Sequence, residues 1–193
     1  MEKKYFTLLA QYNKKANTHM NNVIRTLTDE QWKRQFTGYY KSIRDICSHI
    51  YFWDYNELNR CTYLRKFTSL EKEFSYQKKL DLYTIHLSKD KHEYVDSHLI
   101  SSIHLLTDSS IDEYIRMRID MDNRIIKFIN EITIDDLDGS IEFTTILGKK
   151  FNWKIDELLL SLFNHQTHHR GMISLYLDMM EKENDFSNLI YIL

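Results

Sequence analysis

The chain has 193 residues, of which 42% are hydrophobic and 28% are charged, and its formal net charge is −2. This balance is typical of one globular domain with a core of ordinary size, and it excludes a disordered chain. A net charge so close to zero gives no electrostatic reason to bind nucleic acid or an anionic membrane surface.

Targeting signals and breaks between domains are not evident. No apolar run approaches the ~20 residues of a membrane helix, and residues 1–6 make a poor signal peptide. Cys47 and Cys61 form no CxxC pair, so nothing requires an oxidising compartment, and we expect a cytoplasmic protein. Proline is absent and only four glycines occur, which favours long helices within a single domain over residues 1–193.

The first half of the chain predicts two long helices. Apolar residues recur at three- and four-residue spacing over residues 3–27, which predicts the first helix. Thr28 and Gln31 have the spacing of a capping box and predict a short helix after a turn. After a connection over residues 36–41, Ser42 is a suitable cap for a second long helix that runs to about residue 60.

The second helix carries the first candidate ligand. His49 lies beside the apolar stripe of this helix, so we expect its side chain to point into the bundle or its rim. Asp54 and Glu57 follow on nearby faces. They are interpreted as an exposed charged edge, with hydrogen bonding to a metal-bound histidine as the alternative.

Residues 65–108 are read as an irregular, partly helical excursion. Four histidines recur there at six-residue spacing, which places successive members far apart around a helix, so they are not predicted to be a ligand set. We expect them to be surface or partly buried residues. They are His86, His92, His98 and His104.

The second half predicts two further long helices. Ser110 begins the third, which runs to about residue 132 and carries the i, i+4 pair Arg118 and Asp122. Alternating residues from 141 to 145 predict a small β-hairpin. Asn152 is the expected cap of the fourth helix, which runs to about residue 182 and precedes an apolar tail over 186–193. The sequence therefore predicts an all-α, four-helix up-down bundle.

The stretch 164–171, with the sequence NHQTHHRG, contains the candidate metal site. His165 and His169 are four residues apart on the core-facing stripe, so their imidazoles project from one helical face. Bundles commonly hold metals between facing helices. Spacing leaves open whether His168 or His169 partners His165, and hydrogen-bonded, partly buried histidines are the alternative to ligands.

This stretch resembles the fourth-helix signature of the DinB/YfiT-like superfamily of metal-dependent proteins. Other segments agree in order and position over about residues 5–180. They are Tyr12-Asn13 with Ala16-Asn17, Ser42-Ile43 leading to His49-Ile50 and Asp54, Arg118 with Asp122, and the turn around Gly148. The chain departs from the family at the long excursion and at Met172, where many relatives have glutamine.

The resemblance implies a four-helix bundle of DinB/YfiT-like type whose divalent metal, most often nickel or zinc, has three histidine ligands. One ligand comes from the second helix and two from the fourth. Carried over residue by residue, these are His49, His165 and His169, which leaves His168 outside the ligand set. No catalytic acid or base is placed by a motif. Cys47 lies on an apolar stripe and is expected to pack in the core rather than to act as a nucleophile.

Characterised members of the superfamily include transferases that add bacillithiol or mycothiol to electrophiles, and a thiol-dependent maleylpyruvate isomerase. The resemblance therefore implies a metal-dependent thiol S-transferase. A non-catalytic, stress-related bundle that binds a metal or ligand is one alternative, and a metal-dependent hydrolase or isomerase is another. As partners we expect a small-molecule thiol or electrophile and a second copy of the chain in a homodimer, and neither nucleic acid nor a membrane.

Overall fold

Four long helices dominate the computed structural model, which describes residues 2–65, 109–144 and 150–186. The long helices are α1 (Lys3–Ile24), α3 (Ile43–Arg65), α4 (Ile111–Glu131) and α6 (Ile155–Asp178), and the short ones are α2 (Asp29–Lys33) and α5 (Ile134–Leu137). Strands β1 (Ser140–Thr144) and β2 (Lys150–Lys154) pair antiparallel just before α6. The predicted all-α bundle with a small β-hairpin before its last helix is confirmed.

Among the described residues, the four long helices bury two large groups of apolar side chains. In one group, Phe128 and Leu162 pack near the β-strand end of the bundle, and in the other Trp32, Ile46 and Tyr176 pack around α2. Helix α1 packs mainly on α4, and α3 packs mainly on α6. The pairing of α3 with α6 is what positions the candidate site, because these two helices carry the three histidines.

The predicted caps are correct at three helices and wrong at one. Ser42 caps α3, because its Oγ accepts a hydrogen bond from the backbone N–H of Asp45 at 3.1 Å. Thr28 and Ser110 both form reciprocal capping boxes, with Gln31 and Glu113 respectively. Asn152 does not cap the last helix, because β2 continues through it and the helix begins only after Lys154. A residue in extended backbone paired across a sheet cannot offer its side chain to a helix that starts three positions later.

Charged residues between the helices form a buried group. Arg118 of α4 is 0% exposed and lies between two carboxylates, contacting Asp54 of α3 and donating from Nη2 to Asp122 Oδ1 at 2.8 Å. Asp54 and Glu57 are both buried, so the interpretation of these residues as an exposed edge was wrong. The recorded partner of Asp54 is Arg118, a cation rather than a histidine.

Amides extend the group from α4 to α1 and α6. Asn17 Nδ2 donates to Asp122 Oδ1 and to Gln166 Oε1, at 2.9 Å each, and Asn17 Oδ1 accepts from Arg170 Nη1 at 3.1 Å. We call this group the ionic layer. Its members are Asn17, Asp54, Arg118, Asp122, Gln166 and Arg170. It contains two acids and two arginines, so its formal charges cancel.

Some predictions fall on residues outside the described ranges. They are the excursion over 65–108 beyond the end of α3, with its histidines His86, His92, His98 and His104, the turn around Gly148, and the tail beyond residue 186. Phe186, the first residue of the predicted tail, is buried against the body, and its carbonyl accepts a hydrogen bond from the Tyr12 hydroxyl.

Candidate metal centre

The candidate centre is a cluster of three imidazoles between α3 and α6. His49 Nε2 lies 2.9 Å from His165 Nε2, and His169 Nε2 lies 3.1 Å from the same atom. The candidate ligand atoms of the three residues all lie within 4.8 Å of one another. We call this group the histidine cluster. The structure thus brings together the three residues that the resemblance implied, and metal binding by them stays a prediction.

Helix geometry explains why these histidines meet. Residues four apart lie on the same face of a helix, so His165 and His169 both face α3, on which His49 points toward them. His168 is exposed, and its ring contacts His169 at a centroid distance of 4.8 Å without joining the cluster. The geometry therefore favours His169 over His168, the choice that spacing had left open.

Burial keeps the three imidazoles neutral near pH 7. It lowers the pKa of His49 to about 4 and that of His169 to about 4. The pKa of His165 falls to about 3, chiefly through burial and then through the neighbouring histidines. Neutral imidazole is the form that binds a metal, because the lone pair of one ring nitrogen must be free.

The three imidazoles cannot use all of their Nε2 atoms in hydrogen bonds to one another. A neutral imidazole has one N–H and one lone pair, so three Nε2 atoms that face one another cannot all be satisfied by one another. The Nδ1 atoms of His165 and His169 are buried and have no hydrogen-bond partner among the described residues. With Nδ1 protonated, the three Nε2 lone pairs converge on one point. That donor set suits zinc, nickel, copper or iron.

Two aromatic side chains frame the cluster. The Trp53 ring stacks on His165 at a centroid distance of 4.6 Å and an interplanar angle of 20°. The Tyr40 ring lies 4.7 Å from His49 and 5.3 Å from His169, the latter edge-on. Sequence reasoning had assigned no role at the site to either residue. Trp53, four residues after His49, carried the better signal, because that spacing places it on the same helical face.

Tyr40 is fixed by a contact at its backbone. The Tyr176 hydroxyl donates to the Tyr40 carbonyl at 2.7 Å, and the Tyr176 ring stacks on Phe36 at 4.1 Å. Gly38 allows this arrangement, because a Cβ atom at position 38 would lie 2.6 Å from the Tyr176 hydroxyl oxygen. The connection between α2 and α3 is therefore shaped by the end of α6.

The cysteines do not belong to this centre. Cys47 and Cys61 are both buried, and burial raises the pKa of the Cys47 thiol to about 12. A thiol that stays protonated at neutral pH is a poor nucleophile, because the thiolate is the reactive form. The expectation that Cys47 packs in the core agrees with its complete burial.

Comparison with known proteins adds the family. The model of the DinB family matches residues 1–183, which is nearly the whole chain. No curated protein matches the chain. Within the described ranges, every helix is too short or too polar to cross a membrane.

Proposed function

The chain belongs to the DinB family, and we propose that it binds a divalent metal ion through His49, His165 and His169 and acts as a metal-dependent thiol S-transferase. One observation carries the proposal, namely three neutral imidazoles whose Nε2 atoms converge with no carboxylate among them. Three protein ligands leave a coordination position open for a substrate. Nickel or zinc suits a set of neutral nitrogen donors.

The chemistry divides between the ion and the chain. A divalent metal bound at this centre lowers the pKa of a coordinated thiol or water, which supplies a nucleophile near neutral pH. The three histidines orient it, and Trp53 and Tyr40 shield the imidazole rings from water. Because the two cysteines of the chain are buried, the reacting thiol has to be a substrate.

A second candidate is a non-catalytic bundle that binds a metal or a ligand. It is favoured by the composition of the histidine cluster, which contains no carboxylate to act as a general base. Of the two aromatic residues beside the cluster, Tyr40 carries a hydroxyl group, and burial raises the pKa of that group to about 12. A hydrolase needs a general base more than a thiol transferase does, because water is the weaker acid, so hydrolysis has the least support.

Metal content tests the first half of the proposal. Protein purified without a histidine tag should contain about one nickel or zinc ion per chain by elemental analysis. Replacement of His49, His165 and His169 by alanine should remove it, whereas His168→Ala should leave it unchanged. His168 is the matched control because it lies on the same helix, next to a ligand but outside the cluster. An unchanged metal content in the triple variant would show that these three histidines are not the metal ligands.

Thiol consumption tests the second half. Metal-replete protein is incubated with monochlorobimane and with bacillithiol, glutathione or coenzyme A. We expect conjugation above the uncatalysed rate with at least one thiol, and its loss in the triple variant. If the metal is present but no thiol reacts faster than background, the binding-only function replaces the transferase.

A further inference from the structure

A groove of about 250 Å³ lies between α1 and α6, on a different side of α6 from the histidine cluster. Its walls are mostly apolar, formed by Leu9 of α1 and by Leu160 and Phe163 of α6. Its polar lining includes Asn13, Thr167 and Arg170. The volume is below the roughly 300–1,000 Å³ of pockets for drug-sized ligands, so only a small molecule would fit.

Arg170 is a buried cation whose hydrogen-bond partners among the described residues include no carboxylate, and Asp122 acts on it only through its charge. Its residue is 2% exposed, and its Nη1 donates to the side-chain oxygens of Asn13, Asn17 and Gln166. Its Nη2 donates to the Thr167 hydroxyl at 3.1 Å, and the guanidinium carbon lies 5.5 Å from the centre of the Tyr12 ring. All of these partners are neutral. Burial of a charge is costly unless an opposite charge and hydrogen bonds compensate it.

The two edges of this guanidinium differ. Nη1 has three acceptors, whereas Nε is shielded from water and has no acceptor among the described residues. Nη2 donates to the Thr167 hydroxyl, which in turn donates to the Phe163 carbonyl at 3.0 Å, and the Tyr12 hydroxyl also lies close to the guanidinium. The Nε–Nη2 edge is therefore the less satisfied side of Arg170, and Arg170 and Thr167 both line the groove.

We propose that this groove binds a small carboxylate with an apolar body. One carboxylate receives two parallel hydrogen bonds from the Nε–Nη2 edge of an arginine, a pairing that fits guanidinium geometry closely. The Thr167 hydroxyl gives up its contact with Nη2 and keeps its bond to the Phe163 carbonyl. The apolar body lies against Leu9, Leu160 and Phe163. This site is separate from the histidine cluster and does not depend on the proposed transferase activity.

Calorimetric titration with phenylacetate and with phenylacetamide tests the charge requirement. The two probes have nearly the same shape, and only the first is an anion. With metal-replete protein we expect phenylacetate to bind at least about tenfold more tightly, the range of a charged hydrogen-bonded contact. Equal affinity for the two probes, or binding of neither, overturns the proposal.

A matched pair of variants tests the location. Leu160→Trp fills the groove from an exposed position on α6, and Leu175→Trp makes the same change at an exposed position of the same helix outside the groove. We expect the first variant to abolish phenylacetate binding and the second to retain it. Both variants are checked for native helical content by circular dichroism. Unchanged binding in Leu160→Trp would assign the carboxylate to another site, such as the metal, and overturns the proposal.

Discussion

The ionic layer draws on all four long helices and the histidine cluster on α3 and α6 alone, and the two regions differ in how they treat charge. In the ionic layer, Arg118 lies between Asp54 and Asp122, so every formal charge has a partner of opposite sign or an amide. In the histidine cluster, three uncharged rings turn the same atom toward one point, and no acid accompanies them. The first region pairs its two acids with an arginine of the chain, whereas the second presents a set of neutral nitrogen donors that suits a cation.

This difference separates a role in stability from a role in binding. Removal of one member of a buried charge pair leaves its partner uncompensated. Substitutions in the ionic layer should therefore lower the free energy of unfolding strongly. A single histidine of the cluster is uncharged, so its loss leaves no opposite charge unpaired. We therefore expect such a substitution to lower metal affinity more than the free energy of unfolding. Stability and metal content, measured side by side, can therefore distinguish the two regions.

The largest effect is expected at Arg118. Arg118→Met leaves Asp54 and Asp122 buried with no cation between them, and we expect the free energy of unfolding to fall by about 3–5 kcal/mol. Urea denaturation followed by circular dichroism measures the loss. Lys33→Met, which breaks the exposed pair with Asp29, is the control and should cost under about 1 kcal/mol. Similar losses in both variants would mean that the ionic layer contributes no more than a surface pair.

An intermediate effect is expected at Gly38, on the side of the histidine cluster. Gly38→Ala places a Cβ atom 2.6 Å from the Tyr176 hydroxyl, which must then leave the Tyr40 carbonyl. We expect a loss of about 1–3 kcal/mol in unfolding free energy from overpacking. Metal affinity should also fall, because Tyr40 contacts both His49 and His169. Calorimetric metal titration checks this, and an unchanged affinity would show that metal binding does not depend on the position of Tyr40.

A smaller effect is expected from pH in metal-free protein. Burial lowers the pKa of His165 to about 3, so below pH 6.5 the unfolded chain takes up a proton that the folded chain does not. This residue therefore lowers stability as pH falls from about 6.5 toward 3. Because the ring is only partly buried, we expect less than the limiting change of about 1.4 kcal/mol per pH unit for one proton.

Asp54 contributes with the opposite sign. Burial raises the pKa of this carboxyl to about 7, so the folded chain holds a proton that the unfolded chain has lost, and this contribution falls as pH rises from 3.8 through 7. The contribution is common to wild type and His165→Ala and cancels in their comparison. Chemical denaturation between pH 4.5 and 7 should give a flatter profile for His165→Ala than for His168→Ala. Parallel profiles would contradict the burial of a neutral His165.

The sequence predicted the histidine cluster better than the ionic layer, for a physical reason. His165 and His169 are close in the chain, so helical periodicity places them on one face, and the family resemblance supplied His49. Asp54 and Arg118 are 64 residues apart and on different helices. A charged residue beside an apolar stripe is usually exposed, so local pattern could not indicate that a partner on another helix buries it. The cap predicted at Asn152 was wrong for a similar reason. Asn152 pairs with Glu142 across the hairpin, and local residue preferences do not show where such pairing ends.

The smallest effect is expected at Gly171, the last residue of the NHQTHHRG stretch, where a substitution tests whether either region depends on this glycine. A Cβ atom there meets nothing within 4 Å, and the position is an exposed site inside α6. Because glycine costs more backbone entropy than alanine in a helix, Gly171→Ala should raise the unfolding free energy by about 0.5–1 kcal/mol. Metal content should stay the same, since neither the ionic layer nor the histidine cluster touches that face. A loss of stability or of metal in this variant would contradict the open space around Gly171 and show that one of the two regions depends on this glycine.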